Sequence, residues 1–287
     1  GETSLFLGPP GHIAWGDAPQ VFMTGQRLSC LFHDDEGVYL ASLTSEGVTR
    51  ESDAPLRLVH DRERIAAPTR SLTMSTEGDG CIFALADPEG VRVGRVTTRG
   101  APQIEKERWI TQIGATPHVA LGEFLGKPLI ASVRPGDREL VIVRPDGERI
   151  DTVKHELSEP ALDLAMDVAG SKGCLAVLSM DGHRIETTTL DGQGRMVGRL
   201  STLIEDTQLR MKGLQVLWVE DGFRVFGYDE QASTVVGFRV KDGRREFQLG
   251  GISTQPRVSY RNQRVELFAA DPDALGGATV HIVRSLL

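Results

Sequence analysis

The sequence predicts an all-β fold, a six-bladed β-propeller, and three observations favour it. Short runs of alternating apolar and polar residues, separated by Asp/Pro/Gly turns, recur about every 48 residues along the 287-residue chain. A proline precedes the first run of most units, and the three cysteines occupy one equivalent place in theirs. A repeat of this length with four short strands is typical of a propeller blade.

The repeated hairpin is clearest in "SVRPGDRELVIVRPDGERIDTV", residues 132–153, where two tight turns separate alternating strands. Asp, Pro and Gly favour turns, and strict alternation of apolar and polar residues favours a half-buried strand. Each unit therefore predicts a hairpin inside a four-stranded blade. Matching segments begin at Arg27, Gly78, Gly126, Ser171, Asp221 and Asn262.

Proline marks the start of the first strand of a unit, where no N–H is needed for the sheet. The last interval between these prolines is twice the others, so the fifth unit lacks the proline and keeps its length. They are Pro19, Pro68, Pro117, Pro160 and Pro256. The cysteines fall on different predicted blades, too far apart for disulfides. We therefore expect each cysteine to be a small buried residue of the core. They are Cys30, Cys81 and Cys174.

The repeat predicts one domain over residues 1–287. The blades are predicted at 10–60, 61–113, 114–157, 158–205, 206–253, and 254–287 together with 2–8. The last unit has three strands, and "ETSLFLG" at 2–8 would supply the fourth and close the ring, which removes exposed edges. A seven-bladed ring and a pair of β-sandwiches are the alternatives. Residues 201–213 read as a long outer strand or a short helical insertion.

Composition excludes several classes of function. The formal net charge is −8, whereas a nucleic-acid binder needs a basic surface, so no nucleic-acid partner is predicted. No apolar run is long enough to span a bilayer, so no membrane insertion is predicted. The chain begins at Gly1 without Met or a leader, as it would after removal of a signal peptide, excision of a domain or cleavage of a tag.

The motifs of common enzymes are missing from the sequence. There is no G-x-S-x-G elbow, Walker loop or zinc-ligand spacing, so we predict no catalytic residue, no metal and no cofactor. The alternative is a metal-dependent, lactonase-like propeller hydrolase with its site at the channel mouth. A single asparagine, Asn262, supplies few of the ligands such a site uses. Metal analysis of the purified protein would separate the two classes.

The predicted loops between the second and third strands of the blades are rich in acids. These loops share a face with the connections between blades, so the sequence predicts an acidic binding face. The alternative is turn chemistry, since Asp side chains bond the backbone two residues on. The candidate binding residues are Asp34, Asp35, Glu36, Asp87, Asp137, Asp181, Asp229 and Asp271.

Two further candidates are Trp15, which lies near a predicted blade junction, and His118. Trp15 could be an interface aromatic or a wedge packed between blades. His118 follows Pro117 on an inner strand, where it could face the channel or be a hydrogen-bonded structural residue. With the acidic loops, these residues favour a non-catalytic platform for a protein or peptide partner with a basic surface.

The segment "PLIASVRPGDRELVIVRPDGERIDTV", residues 128–153, resembles the repeat of TolB-like six-bladed propellers. An apolar strand, a turn, a second strand and a D-G turn follow in the same order, although the S-P-D-G lead-in of that family is missing. The resemblance implies a protein-binding platform in the bacterial envelope, periplasmic or extracellular. A cytoplasmic location stays open.

Overall fold

The structure is a computed structural model. Up to residue 110 it describes only the strands, whose bounds are given below, and beyond that it describes residues 118–146, 149–252, 255–261, 264–272 and 278–285. Side chains are described mainly between 118 and 252. In this part of the chain every regular element is a β-strand. The strands form six four-stranded sheets in which all neighbours pair antiparallel. The all-β prediction is therefore confirmed.

The first three sheets each contain four consecutive strands. Sheet 1 contains β2 (Gln20–Thr24), β3 (Arg27–Asp34), β4 (Gly37–Leu43) and β5 (Leu56–Val59). Sheet 2 contains β6 (Leu72–Glu77), β7 (Gly80–Asp87), β8 (Gly90–Thr97) and β9 (Gln103–Ile110). Sheet 3 contains β10 (His118–Phe124), β11 (Lys127–Val133), β12 (Glu139–Asp146) and β13 (Arg149–Glu156).

The next two sheets repeat this order, and the last one also takes in the first strand of the chain. Sheet 4 contains β14 (Ala161–Ala169), β15 (Lys172–Ser179), β16 (Arg184–Leu190) and β17 (Met196–Glu205). Sheet 5 contains β18 (Met211–Val219), β19 (Gly222–Asp229), β20 (Thr234–Arg239) and β21 (Arg245–Gly250). Sheet 6 contains β22 (Arg257–Arg261), β23 (Arg264–Pro272), β24 (Ala278–Ser285) and β1 (Thr3–Phe6).

Burial falls from the middle of a sheet to its outer edge. In sheet 4, β15 is buried from Gly173 to Ser179, whereas most of β17 is exposed or half-buried. A strand that is covered on both faces has a nearly continuous run of apolar residues, and "GCLAVL" at 173–178 in β15 has that pattern. The outer strand β17 ends at Glu205, so the first part of 201–213 is strand and no helix occurs there.

The core lies between neighbouring sheets. Leu140, Leu164 and Leu175 belong to a cluster between sheets 3 and 4, and Ile185 and Val225 to one between sheets 4 and 5. The first strands of successive sheets also contact each other in chain order, from β2 through β6, β10, β14 and β18 to β22. Such sheets, packed face to face by their apolar side chains, are those of propeller blades.

The N-terminal strand pairs with the C-terminal one. Thr3 lies opposite Ile282 and Phe6 opposite Thr279 in an antiparallel register. The described part of segment 2–8, Thr3–Phe6, thus supplies the fourth strand of sheet 6. In this position it covers an edge of β24 that would otherwise be free to pair with another chain.

Candidate functional site

Two hairpin loops and one connection between sheets meet at the start of β14. Gly136 N–H donates to the carbonyl of Ala161 at 2.8 Å, and Ala161 N–H donates to the carbonyl of Asp137 at 2.9 Å. From the next sheet, Met180 N–H donates to the carbonyl of Pro160 at 2.8 Å. These bonds bring the β11–β12 loop and the β15–β16 loop together around Pro160.

The same arrangement recurs in sheets 5 and 6. Met211 N–H donates to the carbonyl of Gly182 at 2.9 Å, and Ile252 N–H donates to the carbonyl of Ser233 at 3.1 Å. Each loop between a second and a third strand therefore bonds the segment that leads to the next inner strand. We call the resulting surface the loop face. Its described parts are 134–138, 157–160, 180–183, 206–210 and 230–233.

Met180 is the exposed apolar residue of the loop face. Its side chain is 47% exposed at the tip of the β15–β16 loop. Asp181 beside it and Asp137 on the neighbouring loop are also exposed. Within the part of the chain that the structure describes, neither carboxylate lies within ion-pair distance of a cationic side chain. A polarizable side chain beside two solvated carboxylates suits contact with an amphipathic, cationic surface.

Arg184 lies below these tips and is neutralised by the chain itself. Its guanidinium contacts Glu159 at 3.2 Å and Glu186 at 3.1 Å, and it donates to Thr202 Oγ1 at 2.8 Å. Ser158 Oγ donates to Glu186 Oε1 at 2.7 Å. The small cavity beside this network has a volume of about 10 Å³, room for about one water molecule. The network therefore shapes the loop face and holds no ligand-sized recess.

Two further cations on or near the loop face also have partners in the chain. Arg138 donates to the carbonyls of Leu157 at 3.3 Å and Ser158 at 2.5 Å, which fixes the connection that leads to sheet 4. Lys212 contacts Glu230 at 2.5 Å. The loop face is therefore more evenly charged than the run of loop acids suggests, because Arg134, Arg138 and Arg210 are exposed there beside the acids of the loop tips.

Asp229 differs from the exposed acids because it is buried. Its Oδ1 accepts hydrogen bonds from the N–H groups of Gln231 at 3.1 Å and Ala232 at 3.2 Å. A carboxylate that caps the next residues of its own loop stabilises the turn, as Asp does in Asx turns. This geometry matches the turn-chemistry alternative at this position.

His118 is engaged with a neighbouring sheet. Its Nδ1 lies 3.0 Å from Oδ1 of Asp163 on β14. The other carboxylate oxygen of Asp163 accepts a hydrogen bond from Leu214 N–H on β18 at 2.8 Å. His118, Asp163 and Leu214 thus connect the inner strands of three successive sheets. His118 is therefore hydrogen-bonded within the chain, and its side chain is still 32% exposed.

The remaining candidates are described by backbone position or not at all. Asp34 pairs with Gly37, Asp87 with Gly90, and Asp271 with Thr279, which places each at the loop end of its hairpin. Asp35, Glu36 and Trp15 lie outside the described residues. The structure thus brings Asp137 and Asp181 together on the loop face.

Polar residues on the inner strands form a further set of contacts, which was not among the predicted sites. Asp167 accepts hydrogen bonds from Val168 N–H at 2.9 Å and from Trp218 N–H, on the next sheet, at 2.6 Å. Burial raises the pKa of the Asp167 carboxyl above its ordinary value, and the two N–H donors oppose that rise. The signal was present in "ALDLAMD", where two acids four residues apart share one face of a strand.

Gln215 makes the corresponding link from sheet 5 to sheet 6. Its Nε2 donates to the carbonyl of Pro256 at 2.8 Å, and its Oε1 accepts from Val258 N–H at 2.7 Å. Side chains of inner strands therefore satisfy main-chain groups of the next inner strand. These bonds hold successive sheets in register and so fix the positions of the loops above them.

The described residues hold neither a cluster of metal-ligating side chains nor a helix that could cross a membrane. Within them, no three His, Cys, Asp or Glu side chains are grouped as metal ligands would be. The described residues also contain no helix of the length and apolarity needed to cross a bilayer.

Solved structures with a similar fold support the assignment of the architecture. A chain in the crystal structure of a nidogen/laminin complex matches with a TM-score of 0.55 and 15% identity, over 84% of this chain and 85% of that one. The AfRom2 CNH domain matches with a TM-score of 0.52 and 13% identity, over 98% of each chain. No protein-family model and no curated protein matches the sequence. The fold is therefore all-β and β-propeller-like.

Proposed function

We propose that the chain is a closed, single-domain, six-bladed β-propeller that acts as a non-catalytic binding platform for a protein or peptide. The blades are those expected from the repeat, with segment 2–8 in the last one. Support comes from the six four-stranded sheets of the described residues, their contacts in chain order and the pairing of β1 with β24.

The loop face is the binding surface of this proposal. One observation carries it: Met180, Asp137 and Asp181 are exposed together where two hairpin loops converge on Pro160. Exposed carboxylates at the tips of rigid hairpins attract cationic groups at long range, although Arg134 and Arg138, exposed on the same loop as Asp137, weaken the local negative potential. The partner therefore presents a basic surface with an apolar residue. The similarity to a chain in a nidogen/laminin complex is consistent with a propeller that binds protein.

The proposed setting is the bacterial envelope, periplasmic or extracellular. It rests on the resemblance of residues 128–153 to the TolB-like repeat. The upstream gene sequence tests it, because a signal peptide or lipid anchor there would support the envelope. A start codon directly before Gly1 would contradict it.

Partner capture with matched variants tests the loop face. The wild-type protein and a variant with Asp137→Ser, Met180→Ser and Asp181→Ser are immobilised and exposed to extract at low and at physiological salt. We expect the wild type alone to retain basic proteins, and retention to weaken with salt because the Debye length shortens. A control with Glu220→Ser and Asp221→Ser removes two exposed carboxylates from the opposite face, together with their contacts to Tyr260 and Arg224. Provided that its circular dichroism shows the wild-type fold, it should retain basic proteins as the wild type does. Equal retention by all three proteins would contradict the proposal.

A further inference from the structure

Leu125 is an exposed apolar residue in a backbone conformation that leucine disfavours. It lies with Gly126 in the two-residue loop of the β10–β11 hairpin, with φ values of 53° and 76°. Positive φ at both positions defines a type I′ turn, which favours Asn-Gly. The Leu125 side chain is 83% exposed. Single exposed leucines are common, but leucine in the left-handed region is not.

The equivalent turns of the other sheets show how unusual this leucine is. Each first hairpin has two residues between its paired ends, and the first of the two is Gly or polar in every other sheet. These residues are Gly25, Gly78, Gly170, Glu220 and Asn262. Glu220 also has a positive φ of 50°, but its Oε1 accepts a hydrogen bond from the Tyr260 hydroxyl at 2.8 Å. Neither backbone preference nor hydration favours Leu125, which points to contact with another molecule.

A lysine of the neighbouring sheet lies beside this turn. The ring of Phe124 packs against Gly173 so closely that a Cβ at that glycine would lie 2.6 Å from Phe124 Cζ. The turn that begins with Leu125 is therefore adjacent to the start of β15, where Lys172 is exposed. We call Leu125 and Lys172 the basic tip.

The opposite end of β15 carries a matching pair. Lys172 is the first residue of β15, and the strand ends at Ser179, directly before Met180. Met180 and Asp181, which we call the acidic tip, are exposed on the loop face. One strand thus separates an apolar residue beside a cation from an apolar residue beside an anion. Two copies stacked along the direction of β15 would pair Leu125 with Met180 and Lys172 with Asp181.

We propose that the chain self-associates head to tail, with the basic tip of one copy on the acidic tip of the next. This inference rests on the proposed function, because it takes the loop face to be a binding surface. The partner that it places on the loop face is a second copy of the chain. Such a contact is heterologous, because two different patches meet, and it therefore leaves one tip of each kind free on a dimer. Complementary charge should speed association and make it salt-dependent.

Sedimentation of the full chain tests the proposal directly. We expect the weight-average mass of the wild type to rise from the micromolar to the sub-millimolar range at low salt, and to rise less at high salt. Leu125→Asn should weaken association at least about tenfold, as loss of an interface anchor does. The same substitution should raise Tm by about 2–4 °C, because Asn-Gly suits the turn. Glu220→Asn, which also places Asn at the first position of an equivalent turn, should leave association unchanged.

Mixing two defective variants distinguishes head-to-tail association from other arrangements. The Leu125→Asn variant keeps its acidic tip, and a Met180→Ser/Asp181→Ser variant keeps its basic tip. Each alone should be monomeric, and the mixture should form a one-to-one dimer. A contact between two basic tips would not be restored in this way, and a mixture that remains monomeric overturns the proposal.

Two other outcomes also overturn it. One is a monomeric wild type, and the other is association of both variants as strong as that of the wild type. A monomeric wild type that still retains basic proteins through the loop face refutes self-association and leaves the proposed function standing. Self-association through these tips without retention of basic proteins would support the self-association and refute the proposed function.

Discussion

Asp167 accepts a hydrogen bond from the backbone N–H of Trp218 at 2.6 Å, and this bond joins the inner strands of sheets 4 and 5. Its other oxygen accepts from Val168 N–H at 2.9 Å. A carboxylate that serves two main-chain donors can be replaced only by another acceptor. The relationship gives Asp167 a structural role, because it links two neighbouring sheets.

Asp167→Ala should lower the free energy of unfolding by about 1–3 kcal/mol, because two N–H groups lose their acceptor. Asp167→Asn keeps one acceptor oxygen and should cost less at neutral pH, since it also removes a charge that burial disfavours. Urea unfolding of the three proteins measures both effects. Alanine and asparagine variants of equal stability would show that the Trp218 bond contributes nothing.

The same residue predicts a pH dependence. Burial raises the folded-state pKa of Asp167 above the ordinary value of 3.8. The folded chain therefore binds the proton of this carboxyl group more tightly than the unfolded chain does. The contribution of Asp167 to stability is therefore greatest below 3.8 and is lost as pH rises through the folded-state pKa. The stability of the wild type minus that of Asp167→Asn should increase as pH falls through this window. A difference that does not change with pH contradicts the burial of the charge.

Cys174 should be inert in the folded protein. It is fully buried, and burial raises the pKa of its thiol to about 12, with a smaller contribution from Asp167. The thiolate is the reactive form, so both access and ionisation oppose modification. In a Cys30→Ser/Cys81→Ser background, a maleimide should label Cys174 only after denaturant is added. Rapid labelling without denaturant would mean that sheet 4 opens at equilibrium.

Asp229→Ala should destabilise the chain by about 1 kcal/mol through the loss of its bonds to Gln231 and Ala232. It should change the rate at which a basic partner associates less than the loss of an exposed carboxylate does, because the buried side chain cannot contact the partner. Asp181→Ser should slow association and leave stability nearly unchanged, since Asp181 is exposed and serine also suits a turn. Thermal unfolding and association kinetics on the same two variants provide the comparison. Association of the Asp229 variant as slow as that of the Asp181 variant would place Asp229 at the binding surface.

The sheets could be predicted from sequence because their signals are local. Alternation and D/G turns placed the hairpins, as in 132–153, and the proline at Pro160 marked the start of β14. Links between sheets were not predictable, because Asp163 bonds Leu214 across 51 residues and nothing in either local pattern requires the other. Whether a loop acid is exposed, as Asp181 is, or buried, as Asp229 is, depends on how its loop folds over the next inner strand. A list of acids in turns cannot show this.

The pairing of β1 with β24 predicts what truncation does. Deleting 2–8 removes the residues opposite Thr279 to Ile282 and leaves an apolar strand, "ATVHIVRS", at the edge of sheet 6. Such an edge is a template for pairing with another chain. We expect the truncated protein to melt at lower temperature and to aggregate, as seen by calorimetry and light scattering.

A full-length control separates this effect from a change in terminal charge. Glu2→Gln alters the charge of the same segment outside the paired residues Thr3 to Phe6, and it should leave both Tm and mass unchanged. Leu5→Pro keeps the length of the chain but breaks the pairing with Val280, because proline cannot donate to a neighbouring strand. It should behave as the deletion does. A monomeric truncation with an unchanged Tm would show that β1 does not hold the last sheet, and the proposed closure of the ring would be wrong.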